Sequence, residues 1–297
     1  MEVEDLTEEE IQRARSQHVR KANDLIQKCR YSLTVQEQKI VLFLISMIQP
    51  EDDDFKAYSI PIYDFCQVCG IHGGGRDYQE IKKTIASLYK KSIGWVTHTD
   101  GSEIFLTWLA YARILPGTQT VEIELNKWLK PYLLGLKANY TTYELEYPLH
   151  FNGKYSVRLY ELVKSVQYNK NVDYQKQFTI DELRGMLDAG NYKRFCDFNS
   201  RVWKPAVDEV NALSDKTLTY VQTKNGRKVT GLLLTIHEKV GEELDAVRAL
   251  IGAPKRRARK PPTAPKAPWR EEESSQDALV SMQKLYASMG KRLPEAE

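Results

Sequence analysis

The stretch that decides the fold is Lys193–Asn211, KRFCDFNSRVWKPAVDEVN. Phe195, Phe198, Val202, Ala206, Val210 and Leu213 recur at intervals of three and four, the period of a helix with one buried stripe. At about 100° per residue, Arg194, Asp197, Arg201, Lys204 and Asp208 fall on the opposite face, flanked by Lys193 and Ser200. This face has the chemistry of a helix that enters the major groove of duplex DNA. Arginine can bond both acceptors on the guanine edge, and Asn199 and Ser200 can reach base edges or phosphate. The competing reading is a solvated surface of mixed charge, which Asp197 and Asp208 favour. Pro205 removes the hydrogen bond to the Arg201 carbonyl and predicts a bend, either around a groove or to relieve packing.

Working outward, a hairpin follows the helix: Thr217–Gln222, a turn at Lys224-Asn225-Gly226-Arg227, then Val229–Ile236. Its tip is basic, so Lys224, Arg227 and Lys228 would reach the flanking DNA backbone, with Lys193 a further phosphate anchor. Two helices precede it, Tyr155–Val166 and Thr179–Leu187, the second opened by Thr179 with Glu182 three residues on.

The same order occurs earlier in the chain. A helix capped by Thr34 with Glu37 runs to Ile48, a short one covers Ile62–Val68 and stops at Gly70, and a third covers Asp77–Lys91. Trp95–His98 and Ile104–Thr107 then flank Asp100-Gly101, and Val121–Leu125 alternates as a further strand. Three helices and a β-hairpin, twice over, give an α+β fold of two tandem winged-helix domains. The first module carries Arg76, Lys82 and Lys83 on its third helix, suited to phosphates, but its hairpin tip is acidic. Trp95, Phe105, Trp108 and Tyr111 in its strands suit a core or a pairing surface, a core being the simpler reading. The expected organisation is a flexible acidic N-terminus over 1–20, a first module over 21–142, a second over 143–242, and a tail over 243–297. Residues 137–148 join the modules. The tail is basic and proline-rich, cannot bury a core and is expected to be largely disordered, with a short amphipathic helix at 278–289.

Composition bounds the rest. Forty-three basic and 40 acidic residues leave a formal charge of only +3 on 297 residues, so binding to a polyanion depends on how the charge is distributed. Four scattered cysteines suit a reducing compartment, and no apolar run is long enough to cross a membrane, which points to a cytoplasmic protein. Cys66-x-x-Cys69-x-x-His72 is half a zinc site without a second ligand pair, so neither a metal nor a cofactor is expected. The five histidines include no His-x-His pair of the kind a strand-nicking enzyme would use, and no catalytic residue is assigned.

The segments YSLTVQEQKIVLFLI, FNGKYSVRLYELVKS, FTIDELRGMLD, YKRFCDFNSRVWKPAVDEVN and NGRKVTGLLLTI, in this order, resemble the plasmid replication initiators of the iteron-binding Rep type. The resemblance spans roughly residues 21–238 and leaves the tail unmatched. It implies a protein without catalytic activity that binds repeated origin sequences through two winged-helix domains. It also implies base reading by Arg194, Asn199, Arg201 and Lys204 of the second module. The first module would hold phosphates and supply a homodimer surface, the dimer binding an inverted repeat to repress its own gene. Host initiator and replicative helicase are the implied partners. The alternatives are a winged-helix transcriptional regulator, a nicking-joining enzyme and a protein-binding tandem winged helix.

Overall fold

The computed structural model describes residues 6–70, 75–94, 104–115, 119–167 and 173–252, with the backbone alone for 75–78. The acidic tip Asp100–Glu103, Trp95, His72, the basic proline-rich segment and the helix expected at 278–289 lie outside them.

The N-terminal half opens with α1 (Glu8–Arg15), β1 (His18–Ala22) and α2 (Asn23–Gln27), where a flexible segment is expected to residue 20. Local and distant bonds explain the order. Thr7 and Glu10 form a capping box, and Arg15 donates to the carbonyls of Val68 at 2.9 Å and Gln67 at 2.7 Å. Next comes α3 (Val35–Ser46), which starts on the expected Thr34–Glu37 capping box and buries every residue from Glu37 to Ser46. A helix apolar on nearly all sides must lie inside the fold. Then follow β2 (Tyr58–Pro61), α4 (Ile62–Cys69) and α5 (Gly75–Tyr89); α4 ends at Gly70, whose φ of 63° is the left-handed conformation that glycine adopts without strain.

The strands of this half form separate sheets. β3 (Ser92–Gly94) pairs with β4 (Phe105–Thr107); β4 lies within the arm expected at Ile104–Thr107, whereas β3 precedes the arm expected at Trp95–His98, which lies outside the described residues. β5 (Leu109–Leu115) and β2 both pair with β6 (Thr120–Leu125), so the strand read at 121–125 is the centre of its own sheet, ordered β2-β6-β5. Trp108 is fully buried, as expected of a core residue, whereas Phe105 is 66% exposed. After α6 (Lys130–Leu133) come β7 (Tyr140–Glu144) and α7 (Glu146–His150). Residues 137–148 are therefore no simple joiner: β7 pairs with β1 from His18↔Glu144 to Ala22↔Tyr140, across more than a hundred residues of chain.

The C-terminal half comprises α8 (Lys154–Val166), β8 (Tyr174–Thr179), α9 (Ile180–Met186), α10 (Phe195–Phe198), a π-turn over Asn199–Trp203, α11 (Lys204–Leu213), and the hairpin of β9 (Lys216–Asn225) and β10 (Lys228–Glu238). The sheet order is β8-β10-β9, and α9 begins on the expected Thr179–Glu182 box. The chain does not loosen at residue 243. It forms α12 (Glu242–Gly252), which buries Val247 and Ile251 and brings Arg248 to 3.9 Å from Glu144 of β7.

The two halves share α8, of which every residue from Ser156 to Val166 except Lys164 is buried. Three charged side chains lie in that seam. Glu161 accepts from Lys21 of β1 and from Tyr143 of β7, each at 2.5 Å. Arg158 donates to Tyr31, to Glu161 at 3.3 Å, to the Ile26 carbonyl at 3.0 Å and to the Met186 carbonyl at 3.1 Å. One guanidinium thus satisfies carbonyls of both halves. At the far end of α8, Asp215 accepts from Tyr160 at 2.9 Å and Lys164 at 2.8 Å.

Burial pushes the Glu161 carboxyl up, but Lys21 and Arg158 beside it outweigh that and hold it below the usual carboxylate range; Asp215 is held low in the same way by Lys164 and Lys216. A carboxyl with a depressed folded value stabilises the fold above its unfolded value of about 4, and that stability is lost as pH falls through the folded value. The thermal midpoint is therefore expected to fall steeply below about pH 4. Glu161→Gln, which strands two buried cations, should destabilise by about 3–5 kcal/mol at pH 7 and flatten the acid slope. Thermal unfolding across a pH series, with urea unfolding of both proteins at pH 7, checks both; an unchanged slope in the variant would assign the acid sensitivity to other groups.

Candidate nucleic-acid interface

Pro205 shapes the exposed helix. Because it lacks an N–H, it cannot follow the preceding turn as an ordinary helical residue. The chain widens before it: the Lys204 N–H reaches back five residues to the Asn199 carbonyl, and Pro205 sits in the first turn of α11, where its missing donor is harmless. The expected bend is thus a π-turn that inserts one residue into the helical repeat. Its consequence is a second apolar row. Trp203 and Val207 join Phe198, Val202, Ala206 and Val210 in the core, while Phe195 and Leu213 are only half-buried. Trp203 meets Tyr220 of β9 edge-on at 5.6 Å and stacks at 6.4 Å on Phe198. Strict three-and-four spacing omits Trp203; only the proline two residues on hints that the period slips.

The opposite face stays in solvent. Arg194, Ser200, Arg201 and Lys204 are exposed and Asn199 half-buried. Arg194 lies 3.7 Å from Asp197, Ser200 donates to the Asp197 carbonyl at 3.4 Å, and Lys204 bonds Asp208 at 2.7 Å, which holds the ammonium above its usual value. Such exposed pairs exchange readily for a phosphate or base edge. Asn199 accepts from the Tyr220 hydroxyl at 3.4 Å, and no described residue partners the guanidinium of Arg201. Lys193 is exposed at the helix start, where its carbonyl accepts from Arg184 at 2.6 Å.

Beside the helix, Lys224, Arg227 and Lys228 are all exposed at the hairpin tip. The turn is tighter than the sequence suggests: Asn225 pairs with Lys228, leaving Gly226 and Arg227 between them, with Gly226 at φ 59°. Gly231 is a residue that sequence reasoning missed. A Cβ there would stand 2.6 Å from the Phe178 carbonyl, so glycine permits β8 to pair against β10 beside a register shift between Val229 and Gly231. An isolated glycine inside an alternating strand was the available signal.

In the first half, Lys82 and Lys83 are exposed on α5. Arg76 lies on the same helix, its side chain outside the description. Cys66 and Cys69 are buried in α4, and burial pushes the Cys69 thiol up. Among the described residues no group of His, Cys, Asp and Glu is arranged to hold a metal, and no helix is long and apolar enough to cross a membrane.

Residues 18–164 match the family described as initiator replication protein, WH1, and residues 179–236 match the one described as initiator Rep protein, WH2. The first match begins at β1 and includes nearly all of α8. A replication initiation protein of Escherichia coli is 28% identical over 237 residues, covering 77% of this chain and 72% of that protein. In fold the chain is similar to the Pi initiator protein, solved in complex with iteron DNA, with a TM-score of 0.63 at 19% identity, over 76% of this chain and 98% of that one.

Gly231→Ala is expected to destabilise the protein by about 1–3 kcal/mol, because the new methyl group meets backbone rather than a side chain that can turn away. Gly226→Ala, which meets no atom within 4 Å but keeps the positive φ, should cost less, about 1 kcal/mol. Urea midpoints of the two variants check the order.

Proposed function

The chain belongs to the initiator replication protein family, and on that premise we propose that it starts plasmid replication by binding directly repeated duplex sites through α10 and α11. One observation carries this reading: a cationic helix face, anchored from behind by Trp203 and Tyr220, lies in the same module as a hairpin whose tip presents three exposed cations.

The helix lies in the major groove, where Arg201 can address guanine without first giving up a protein partner. Arg194 and Lys204 exchange their carboxylates for base edges, Asn199 and Ser200 complete the set, and Lys193, Lys224, Arg227 and Lys228 hold phosphates on either side. Arg76, Lys82 and Lys83 of the first half add phosphate contacts and register the chain along the duplex. Occupation of adjacent repeats bends the DNA, and the strain opens neighbouring A+T-rich sequence for the host initiator and helicase. A dimer formed through the first half binds an inverted repeat and represses the chain's own gene. No catalytic step belongs to this reading.

The test is fluorescence anisotropy of the full chain on duplexes tiling the DNA around its own gene, with scrambled controls, over a salt series. Tight binding to direct repeats, with log affinity falling about 0.9 per phosphate contact against log salt, is the expected result. Equal, weak binding to every duplex would defeat the reading. Arg201→Ala should lose about 1–3 kcal/mol, concentrated at one base position. Lys224→Ala should weaken binding to all sequences alike and reduce the salt slope by about 1.

A further inference from the structure

Glu209 sits on α11, off the face assigned to DNA, and its carboxylate is directed at another helix. Oε1 accepts from the Asn152 backbone N–H at 2.7 Å and from the Asn152 side-chain amide at 3.2 Å, and Oε2 accepts from the Gly153 N–H at 3.0 Å. Residues 152 and 153 lead into α8, whose start at Gly153 has no side-chain cap of its own. The first N–H groups of a helix have no partner within it, and a negative charge there also meets the positive end of the helix dipole. Glu209 therefore meets from α11 the N–H of Gly153, the residue that opens α8, and that of Asn152 before it. The fit is close: a Cβ on Gly153 would stand 2.9 Å from Glu209 Oε2 and 2.7 Å from Ser156 Oγ.

The bond falls where it sets the pose of the recognition helix. Apolar packing of α11 through Ala206, Val207 and Val210 is non-directional and leaves sliding and rotation about the helix axis weakly defined. Three hydrogen bonds from one carboxylate to two consecutive residues define both. Two residues further on, Asn211 exchanges bonds with Leu218 of β9, donating to its carbonyl at 3.0 Å and accepting from its N–H at 2.6 Å, which fixes the same helix to the hairpin. The base-reading side chains, Arg194 to Lys204, lie roughly one and a half to five turns N-terminal of these two clips.

From this geometry we infer that Glu209 is a positioning residue for DNA recognition, locking α11 onto the start of α8 so that Arg194, Arg201 and Lys204 meet base edges in one register. This inference rests on the major-groove reading given above. Loss of the clip lets the helix shift by small amounts that phosphate contacts tolerate and bidentate base contacts do not. Its signature is therefore a fall in the ratio of repeat-site to random-duplex affinity, with little change in random binding.

The experiment measures that ratio by anisotropy for the full chain and for Glu209→Ala, Glu209→Gln, Gly153→Ala and the double variant Glu209→Ala/Gly153→Ala. Expected is a drop of about tenfold for Glu209→Ala, a smaller one for Glu209→Gln, which keeps one acceptor oxygen, and a drop for Gly153→Ala, which displaces the carboxylate without altering α11. The double variant should lose no more than the worse single one, as two changes in one interaction do. Gly153→Ala keeps the test open if Glu209→Ala fails to fold. A lower melting temperature with an unchanged ratio in the folded variants would make the clip merely structural and overturn the inference. If the unsubstituted protein shows no preference for any repeat, the functional reading falls first and this one with it.

Discussion

The buried ion group on α8 is the constraint from which the arrangement of the described fold follows. Lys21, Arg158 and Glu161 are each almost wholly out of water, and none would be tolerable there alone. Together they satisfy one another, with Tyr31 and Tyr143, and Arg158 also satisfies the carbonyls of Ile26 and Met186. The group is directional, as an apolar seam is not. Only one placement of β1, β7, α2 and α9 around α8 brings every donor to an acceptor, so the group specifies how the halves meet more than it stabilises their meeting.

The recognition helix shows a second way of meeting a constraint. Pro205 is a defect in any continuous α-helix, yet the chain stays helical by widening one turn in front of it. The inserted residue moves Trp203 inward, where it packs on Phe198 and Tyr220 and makes the base of the helix rigid. The solvent face remains polar and loosely paired, which suits side chains that must exchange partners when a ligand arrives. A rigid inner face and an exchangeable outer one are what a preorganised recognition surface requires.

The second module was largely legible in the sequence because its signals are local. The Thr179–Glu182 box, the alternation of β9 and β10 and the glycine at the turn each involve residues a few positions apart. The same holds for Thr34–Glu37 and for Gly70 in the first. The exposed cations at 193, 194, 201, 204, 224, 227 and 228 follow from those elements, since a helix or strand that buries one face must expose the other. The misread segments were those ordered from a distance. Neither the pairing of β1 with β7 nor the docking of Arg15 on residues 67 and 68 leaves a periodic trace, and α12 reads in the sequence as the start of a tail because its burial is confined to Val247 and Ile251.

What the sequence by itself determined is the capped helices, the wing hairpin, the basic face of Lys193–Lys204 and the basic tip of the wing, because backbone geometry ties each to neighbours within about four residues. What only the tertiary structure decided is which polar residues serve as joints: Lys21 with Glu161, 140 positions apart, and Glu209 with Asn152, 57 apart. A lysine or glutamate in a sequence reads as surface, since burying its charge unpaired is prohibitive. Whether a partner waits inside depends on chain folding that no local pattern encodes.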